Sequence, residues 1–335
     1  MGWYSAVGRP LFFALPPEAA HRVACAALVL PLPWARIGHA TQDPASATTL
    51  AGIPLRNPIG LAAGFDKTCS HLDGLGALGF GYVVGGTITR EPRRGNPKPR
   101  IVRYPSRGSM ANAMGLPNPG AERAASNMRR ARAVAPRLIS LADEALDDAL
   151  QAFELLEPVA DGIELNASCP NVSWGRDRDN EAHLHELVTA IRERTPKPVF
   201  VKLPPYTTPV ERAVVLALVG VAQESGASGL TCSNTKPVRD ARLSVGVGGL
   251  SGRALFERTP VIVSEVQAAT GGALPINACG GVSSGADVMA CLEAGATTVQ
   301  IYTTLIYQGP TIVGSLTREL SGAFRARQQG VLPSG

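Results

Sequence analysis

Seven side chains in this sequence are placed to do chemistry together. Lys67 and Lys202 are ammonium groups in otherwise apolar surroundings, Asn112, Asn166, Asn171 and Asn234 are neutral amides, and Cys169 stands inside Asn-Ala-Ser-Cys-Pro-Asn between two of those asparagines. A lysine drawn out of water needs an anion or an electron-rich ligand beside it, unless it serves as the amine of a Schiff base. Asparagines offer donors and acceptors with no net charge, a set suited to a planar ligand bearing its own amides. A thiol near cations is a nucleophile, or a general base once deprotonated. Otherwise it is a small buried apolar group, which is the reading for Cys25, Cys232, Cys279 and Cys291. The six cysteines form no CxxC pair, which argues for reduced thiols in a cytosolic setting and against a disulfide framework or a zinc site. His183 and His185 fall on different faces of one helix, so no metal is expected.

Something must bring these residues to one place. From about residue 53 the chain alternates strand-like and helix-like runs. The strands are expected at Asn57–Ala62, Tyr82–Gly86, Arg137–Leu141, Gly162–Leu165, Val199–Leu203, Gly229–Ser233, Pro275–Ala278 and Val299–Tyr302. Helices are expected between them, among others at Asn180–Thr195, Val210–Gly226 and Gly285–Gly295. Eight strands separated by helices predict an α/β chain folded as a (β/α)8 TIM barrel over residues 45–328, in preference to a doubly wound sheet.

Function in such a barrel gathers at the carboxyl ends of the strands. Those ends carry Ala63-Gly64-Phe65-Asp66-Lys67, Thr87, Ser140, Asn166 with Cys169 and Asn171, Lys202, Ser233-Asn234-Thr235, Gly280-Gly281 and Tyr302-Thr303-Thr304. Gly248-Gly249-Leu250-Ser251-Gly252, Gly280-Gly281 and Tyr302-Thr303 converge after the last strands, where this fold holds phosphate groups.

The 335 residues include 32 Lys+Arg and 27 Asp+Glu, a net charge of +5, with 45% hydrophobic residues, so a chain too polar to fold is excluded. The charge is uneven: Arg90–Arg137 holds twelve basic and two acidic residues, net +10, leaving −5 elsewhere. With no nucleic-acid motif beside it, this window marks the neighbourhood of anionic ligands rather than a nucleic-acid surface. Residues 1–40 hold only Arg9, Glu18, Arg22 and Arg36 as charged side chains and predict a two-helix apolar extension, with Pro17 and Glu18 opening the second helix and Pro31 and Pro33 closing it. The extension docks on the barrel or lies in a membrane interface. Neither a spanning helix nor a signal peptide is expected.

The motifs together resemble the dihydroorotate dehydrogenase family over about residues 8–320. They are GLAAGFDK (Gly60–Lys67), GTITREPRRGNPKPR (Gly86–Arg100), NAMGLPN (Asn112–Asn118), NASCPN (Asn166–Asn171), GGLSGR (ending at Arg253) and VQIYTTLIYQGP (Val299–Pro310). The resemblance implies FMN above the barrel, its phosphate at Gly252, Gly281, Tyr302 and Thr303, with Ala63, Gly64, Phe65, Asp66, Lys67, Thr87, Ser140, Asn166, Lys202 and Ser233 around the flavin. It places dihydroorotate or orotate against Lys67, Asn112, Ala113, Met114, Gly115, Leu116, Asn166, Asn171, Asn234 and Thr235, and the catalytic base at Cys169. Two branches of the family are mixed. Pro17-Glu18-Ala19-Ala20-His21, GNPKPR and GGLSGR are similar to membrane-associated, quinone-reducing members, whose base is usually serine and which carry an asparagine where Ser140 aligns. Cys169 and NAMGLPN are similar to soluble members using fumarate or NAD. Residues 1–40 favour quinone, admitted through an apolar tunnel, and a peripheral place on the cytoplasmic face of the membrane. The alternatives are a fumarate-dependent enzyme, an FMN-dependent paralogue with another cyclic substrate, and a cofactor-free Schiff-base lyase.

Overall fold

The computed structural model describes residues 3–39, 43–142, 145–167 and 180–328. Its centre is a closed barrel of eight parallel strands: β1 (Ile59–Leu61), β2 (Tyr82–Ile88), β3 (Arg137–Leu141), β4 (Gly162–Leu165), β5 (Val199–Leu203), β6 (Gly229–Cys232), β7 (Ile276–Cys279) and β8 (Thr298–Ile301), ordered around the barrel as in the chain. All eight lie where the alternation places them. Parallel strands covered on both faces read as continuous apolar runs, and β2 is buried at every position. The surrounding helices bury one stripe each; Asn180–Arg192 buries Leu184, Leu187, Val188 and Ile191, one face of a 3.6-residue period. Their starts are set by side chains: Thr208 with Glu211 and Ser284 with Asp287 form reciprocal caps at the helices Pro209–Glu224 and Gly285–Glu293.

Both ends of the barrel are closed by small sheets that strand counting misses. At the amino end, Thr48–Leu50 pairs antiparallel with Ile53–Leu55, and Leu50, Ile53 and Leu55 plug the opening against Tyr82, Val84, Leu138 and Phe200. At the carboxyl end, the connections after β2 and β6 contribute two strands each to an antiparallel roof, in the order Lys236–Arg239, Val247–Gly252, Ser109–Asn112, Ile101–Tyr104. Residues 146 apart in sequence, such as Ile101 and Val247, thereby join one four-stranded sheet.

The N-terminal segment forms a π-helical turn (Tyr4–Gly8) running into α1 (Arg9–Ala14), then α2 (Pro17–Leu28) and a short turn at Trp34–Ile37. Its docking uses the basic window. Glu18 of α2 accepts from Arg100 Nε at 2.5 Å and pairs with Lys98 Nζ at 2.9 Å, which joins two motifs 80 residues apart. Arg103 donates to the carbonyl of Leu15 at 3.0 Å and lies 4.5 Å over the Phe13 ring. Tyr4 donates to the Ile306 carbonyl at 2.8 Å. The window's charges turn elsewhere: Lys98, Arg100 and Arg103 serve the extension and none of the twelve basic residues lines the barrel-mouth cavity, while its uncharged residues Ile101, Met110 and Asn112–Pro117 do. Among the described residues no helix is long and apolar enough to cross a membrane.

His21 of α2 stacks edge-on against Phe65, with ring centroids 5.0 Å apart. Burial, and then the nearby Lys67 and His71 charges, push its pKa from 6.5 down to about 4. A depressed histidine contributes stability that is complete above pH 6.5 and lost as pH falls towards 4, since only the unfolded chain takes up the proton in that window. Between pH 7 and pH 4.5, urea unfolding of the wild type should therefore lose up to about 3 kcal/mol more stability than that of His21→Gln.

Candidate active site

Between strand ends and roof lies a cavity of about 590 Å³. Its floor and walls follow from the fold. Barrel closure brings the ends of β1, β2, β4, β5, β6, β7 and β8 to one ring, and Ala63, Gly64, Lys67, Thr87, Asn166, Lys202, Ser233, Asn234, Thr235, Gly252, Gly281, Tyr302 and Thr303 all line it. The roof delivers Asn112, Ala113, Met114, Gly115 and Leu116 from the opposite side. The segment Met114–Leu116 is held in shape by the GNPKPR turn: Asn96 donates its backbone N–H to the Met114 carbonyl at 2.9 Å and its amide to the Ala113 carbonyl at 3.0 Å.

The strand ends are laced together by hydrogen bonds. Ser140 and Thr87 share one at 2.9 Å, Asn166 donates to Thr87 Oγ1 at 3.3 Å, and Asn234 donates to Asn166 Oδ1 at 3.2 Å. Ser140 is thus a support behind Thr87; it is fully buried and absent from the described lining. Phe65 and Asp66 likewise stand behind the wall. Phe65 lies against Tyr302 with ring centroids 5.6 Å apart. The Asp66 carboxylate accepts from the His71 N–H at 2.6 Å and from Thr68; burial opposes its charge, but the His71 and Thr68 hydrogen bonds prevail and hold its pKa below the usual range. None of these three is among the described residues lining the cavity: the Ser140 hydroxyl and the Asp66 carboxylate have protein partners, and the Phe65 ring packs on Tyr302. Cys169 and Asn171 lie outside the described residues.

The glycines form a cradle. Gly252 and Gly281 have φ of +90° and +74°, and a Cβ on Gly252 would stand 2.4 Å from the Gly108 carbonyl oxygen and 2.8 Å from Thr303 Cγ2. One on Gly281 would stand 2.7 Å from the Gly252 carbonyl oxygen. Only glycine permits this approach of three loops, a geometry in which backbone N–H groups can face an oxyanion.

Lys202 is buried, and among the described residues its one hydrogen-bonding partner is Glu164, at 3.5 Å. Burial works against its charge, but Glu164 and then Cys279 outweigh it, so its pKa stands above the usual lysine range. Gln300, also buried and cavity-lining, donates to Glu164 and keeps its Oε1 without a donor among the described residues. Two donors of Lys202 remain for a ligand with its own polar edge. Glu164, Gln300 and Cys279 were missed from sequence, and Cys279, read as a small core residue, lines the cavity instead. A signal existed for Glu164: a carboxylate inside the apolar run Gly162-Ile163-Glu164-Leu165 needs a buried partner.

Known proteins resemble this chain in sequence and fold. A family model described as dihydroorotate dehydrogenase matches residues 45–324. A dihydroorotate dehydrogenase (quinone) from Methylococcus capsulatus is 36% identical, covering 94% of this chain and 98% of its own length. One of the same name from Methylibium petroleiphilum is also 36% identical, covering 95% and 98%. The crystal structure of DHODH in complex with ferulenol from Eimeria tenella superposes with a TM-score of 0.83 at 29% identity, covering 94% of this chain and 93% of that one.

The cradle makes its own test. Gly252→Ala should weaken binding of a phosphate-bearing flavin by about tenfold or more, measured by fluorescence titration, because the new methyl must move Gly108 or Thr303. Gly220→Ala, whose Cβ meets nothing within 4 Å, should leave binding unchanged.

Proposed function

The chain belongs to the dihydroorotate dehydrogenase family and is an oxidoreductase acting on a CH–CH bond, and we propose that it oxidises dihydroorotate to orotate in pyrimidine synthesis, with FMN at the barrel mouth and a quinone as final acceptor. The observation that carries this is the convergence in one cavity of the glycine cradle, a charged lysine with unused donors, and a ring of asparagines. These residues fit FMN. Gly252, Gly281, Tyr302 and Thr303 would hold its phosphate, and Ala63, Gly64, Thr87, Lys202 and Ser233 its ring system. When bound, FMN supplies the acceptor for a hydride from C6 of dihydroorotate.

The chain's own residues do the rest. Asn112, Asn166, Asn171 and Asn234 match the amide edges of the substrate, Thr235 adds a hydroxyl, and Lys67 supplies the cation for an anionic carboxylate. Lys67 is steadied at the rim by its hydrogen bond to the Gly64 carbonyl. Cys169 takes the C5 proton as general base. A Schiff-base lyase working through Lys202 is not supported, since such an amine needs a depressed pKa and Glu164 secures the opposite.

The extension supports quinone as the acceptor. His21, Phe65 and Tyr302 form a line of rings from α2 to the cavity wall, at 5.0 and 5.6 Å. Trp3, Val7, Leu11, Leu15, Val23, Val29, Leu30 and Leu32 are exposed on the same segment, more apolar surface than a water-facing helix pair keeps. That face suits a peripheral seat on the cytoplasmic face of a membrane, where an apolar quinone is met.

Anaerobic dihydroorotate should bleach the yellow protein, and a ubiquinone analogue rather than fumarate should restore the colour. Cys169→Ala should keep its FMN but bleach about two to four powers of ten more slowly; a protein that binds flavin and is not bleached would overturn the substrate assignment. In vesicle co-sedimentation, Leu11→Asp combined with Val29→Asp should release the protein from anionic liposomes and leave bleaching intact.

A further inference from the structure

Beneath the cavity floor the barrel interior is crossed by polar side chains that share one direction. The strand register sets Lys202, Thr231, Asn277 and Thr298 side by side on β5, β6, β7 and β8. Thr298 donates to Asn277 Oδ1 at 2.6 Å, so the bond it shares with Tyr82 at 2.8 Å must carry the tyrosine's proton. The Asn277 amide donates to Thr231 Oγ1 at 3.2 Å, and Thr231 donates to Glu164 Oε2 at 2.9 Å. Gln300 donates to the same oxygen at 3.2 Å, leaving Oε1 to Lys202 at 3.5 Å.

Every bond in this array points towards Glu164, which is completely buried. Its three partners, Thr231, Gln300 and Lys202, all arrive as donors, a set matched to a carboxylate. The chain of hydroxyls and amides, which begins at the phenol of Tyr82 beside the amino-end plug, thus aims donors at the Glu164 carboxylate where water cannot.

We propose that Glu164 is a positioning residue: its carboxylate, held from below by Thr231 and Gln300, keeps Lys202 charged and aimed into the cavity, so that the pocket is ready for the negative charge a hydride brings. This rests on the FMN reading of the same site. Among the described residues, the titratable groups facing Lys202 are Glu164 on β4 and Cys279 on β7, while Thr231 on the neighbouring β6 does not titrate. Burial pushes the Cys279 thiol above its usual range, so it stays neutral near pH 7. Glu164 is therefore the anion that answers the lysine.

Two measurements on the full chain test this. The sequence has five lysines, Lys67, Lys98, Lys197, Lys202 and Lys236, so with ε-13C-lysine labelling each ε-carbon can be followed by NMR, with Lys202 assigned from Lys202→Met. In the wild type without FMN, Lys202 should stay charged beyond about pH 10, and Glu164→Gln should lower its midpoint by more than about one unit. Titration of wild-type Lys202 below about pH 9, or a shift of less than about one unit in the variant, would overturn the proposal. Where Glu164→Gln does not fold, the wild-type titration alone decides.

The second measurement uses FMN-loaded protein and sulfite, which adds to an oxidised flavin and brings a negative charge to its ring. The affinity of Glu164→Gln relative to wild type should fall about tenfold between pH 6 and pH 9 as the unsupported lysine loses its proton. A flat ratio counts against Glu164. Failure of the wild-type chain to take up FMN would sink the proposed function instead, with the lysine titration still deciding the role of Glu164.

Discussion

Closing eight parallel strands into a barrel leaves their inward side chains no access to water except at the two ends. Everything else in this molecule answers that constraint. The amino end is sealed by Leu50, Ile53 and Leu55 over Tyr82 and Phe200, so polar groups inside the wall must satisfy one another or face the carboxyl end. They do both: Tyr82, Thr298, Asn277 and Thr231 form a hydrogen-bonded row, and Glu164 ends that row against Lys202 at the cavity floor. A buried ion pair is weak evidence of stability, because desolvation opposes it. Its place here, with two lysine donors left over in the cavity that the glycine cradle also lines, suits ligand chemistry better than core packing.

The roof and the extension solve a second problem, which is to enclose a ligand without burying its entry. Two connections, after β2 and β6, each give two strands to one antiparallel sheet, and the turn between them and the barrel is held by Asn96 against the Ala113 and Met114 carbonyls. The loop that shapes the cavity rim is also the loop that receives Glu18 through Lys98 and Arg100. Movement of α2 is therefore coupled by direct contacts to the wall of the cavity, through the ion pairs on one side and through His21, Phe65 and Tyr302 on the other.

The basic window shows how charge can mislead when read along the chain. Twelve cations within 48 residues look like one patch, yet in space they separate. Arg100 and Arg103 are drawn inward to the carboxylate, carbonyls and ring of the extension, Arg90 pairs with Glu91 and Glu122, and Arg129 and Arg130 stand exposed at a helix end. Among the described residues, the cations that line the cavity, Lys67, Lys202 and Arg239, come from outside the window.

What the sequence determined by itself was the barrel and the ring of residues at its mouth. Parallel strands buried on both faces need short apolar runs, each run must end before its helix begins, and the polar residues just after it can only stand at the carboxyl end. Lys67, Thr87, Asn166, Lys202, Asn234 and Tyr302 were legible for that reason. The roof, the inward polar row and the fate of the basic window were decided only in three dimensions. Gly248–Gly252 reads as a glycine-rich turn until it pairs with Ser109–Asn112, and Glu164 reads as an isolated charge until closure sets it beside Lys202, 38 residues away. Such pairings depend on strand register and barrel closure, which bring together atoms whose separation along the chain carries no trace of their contact.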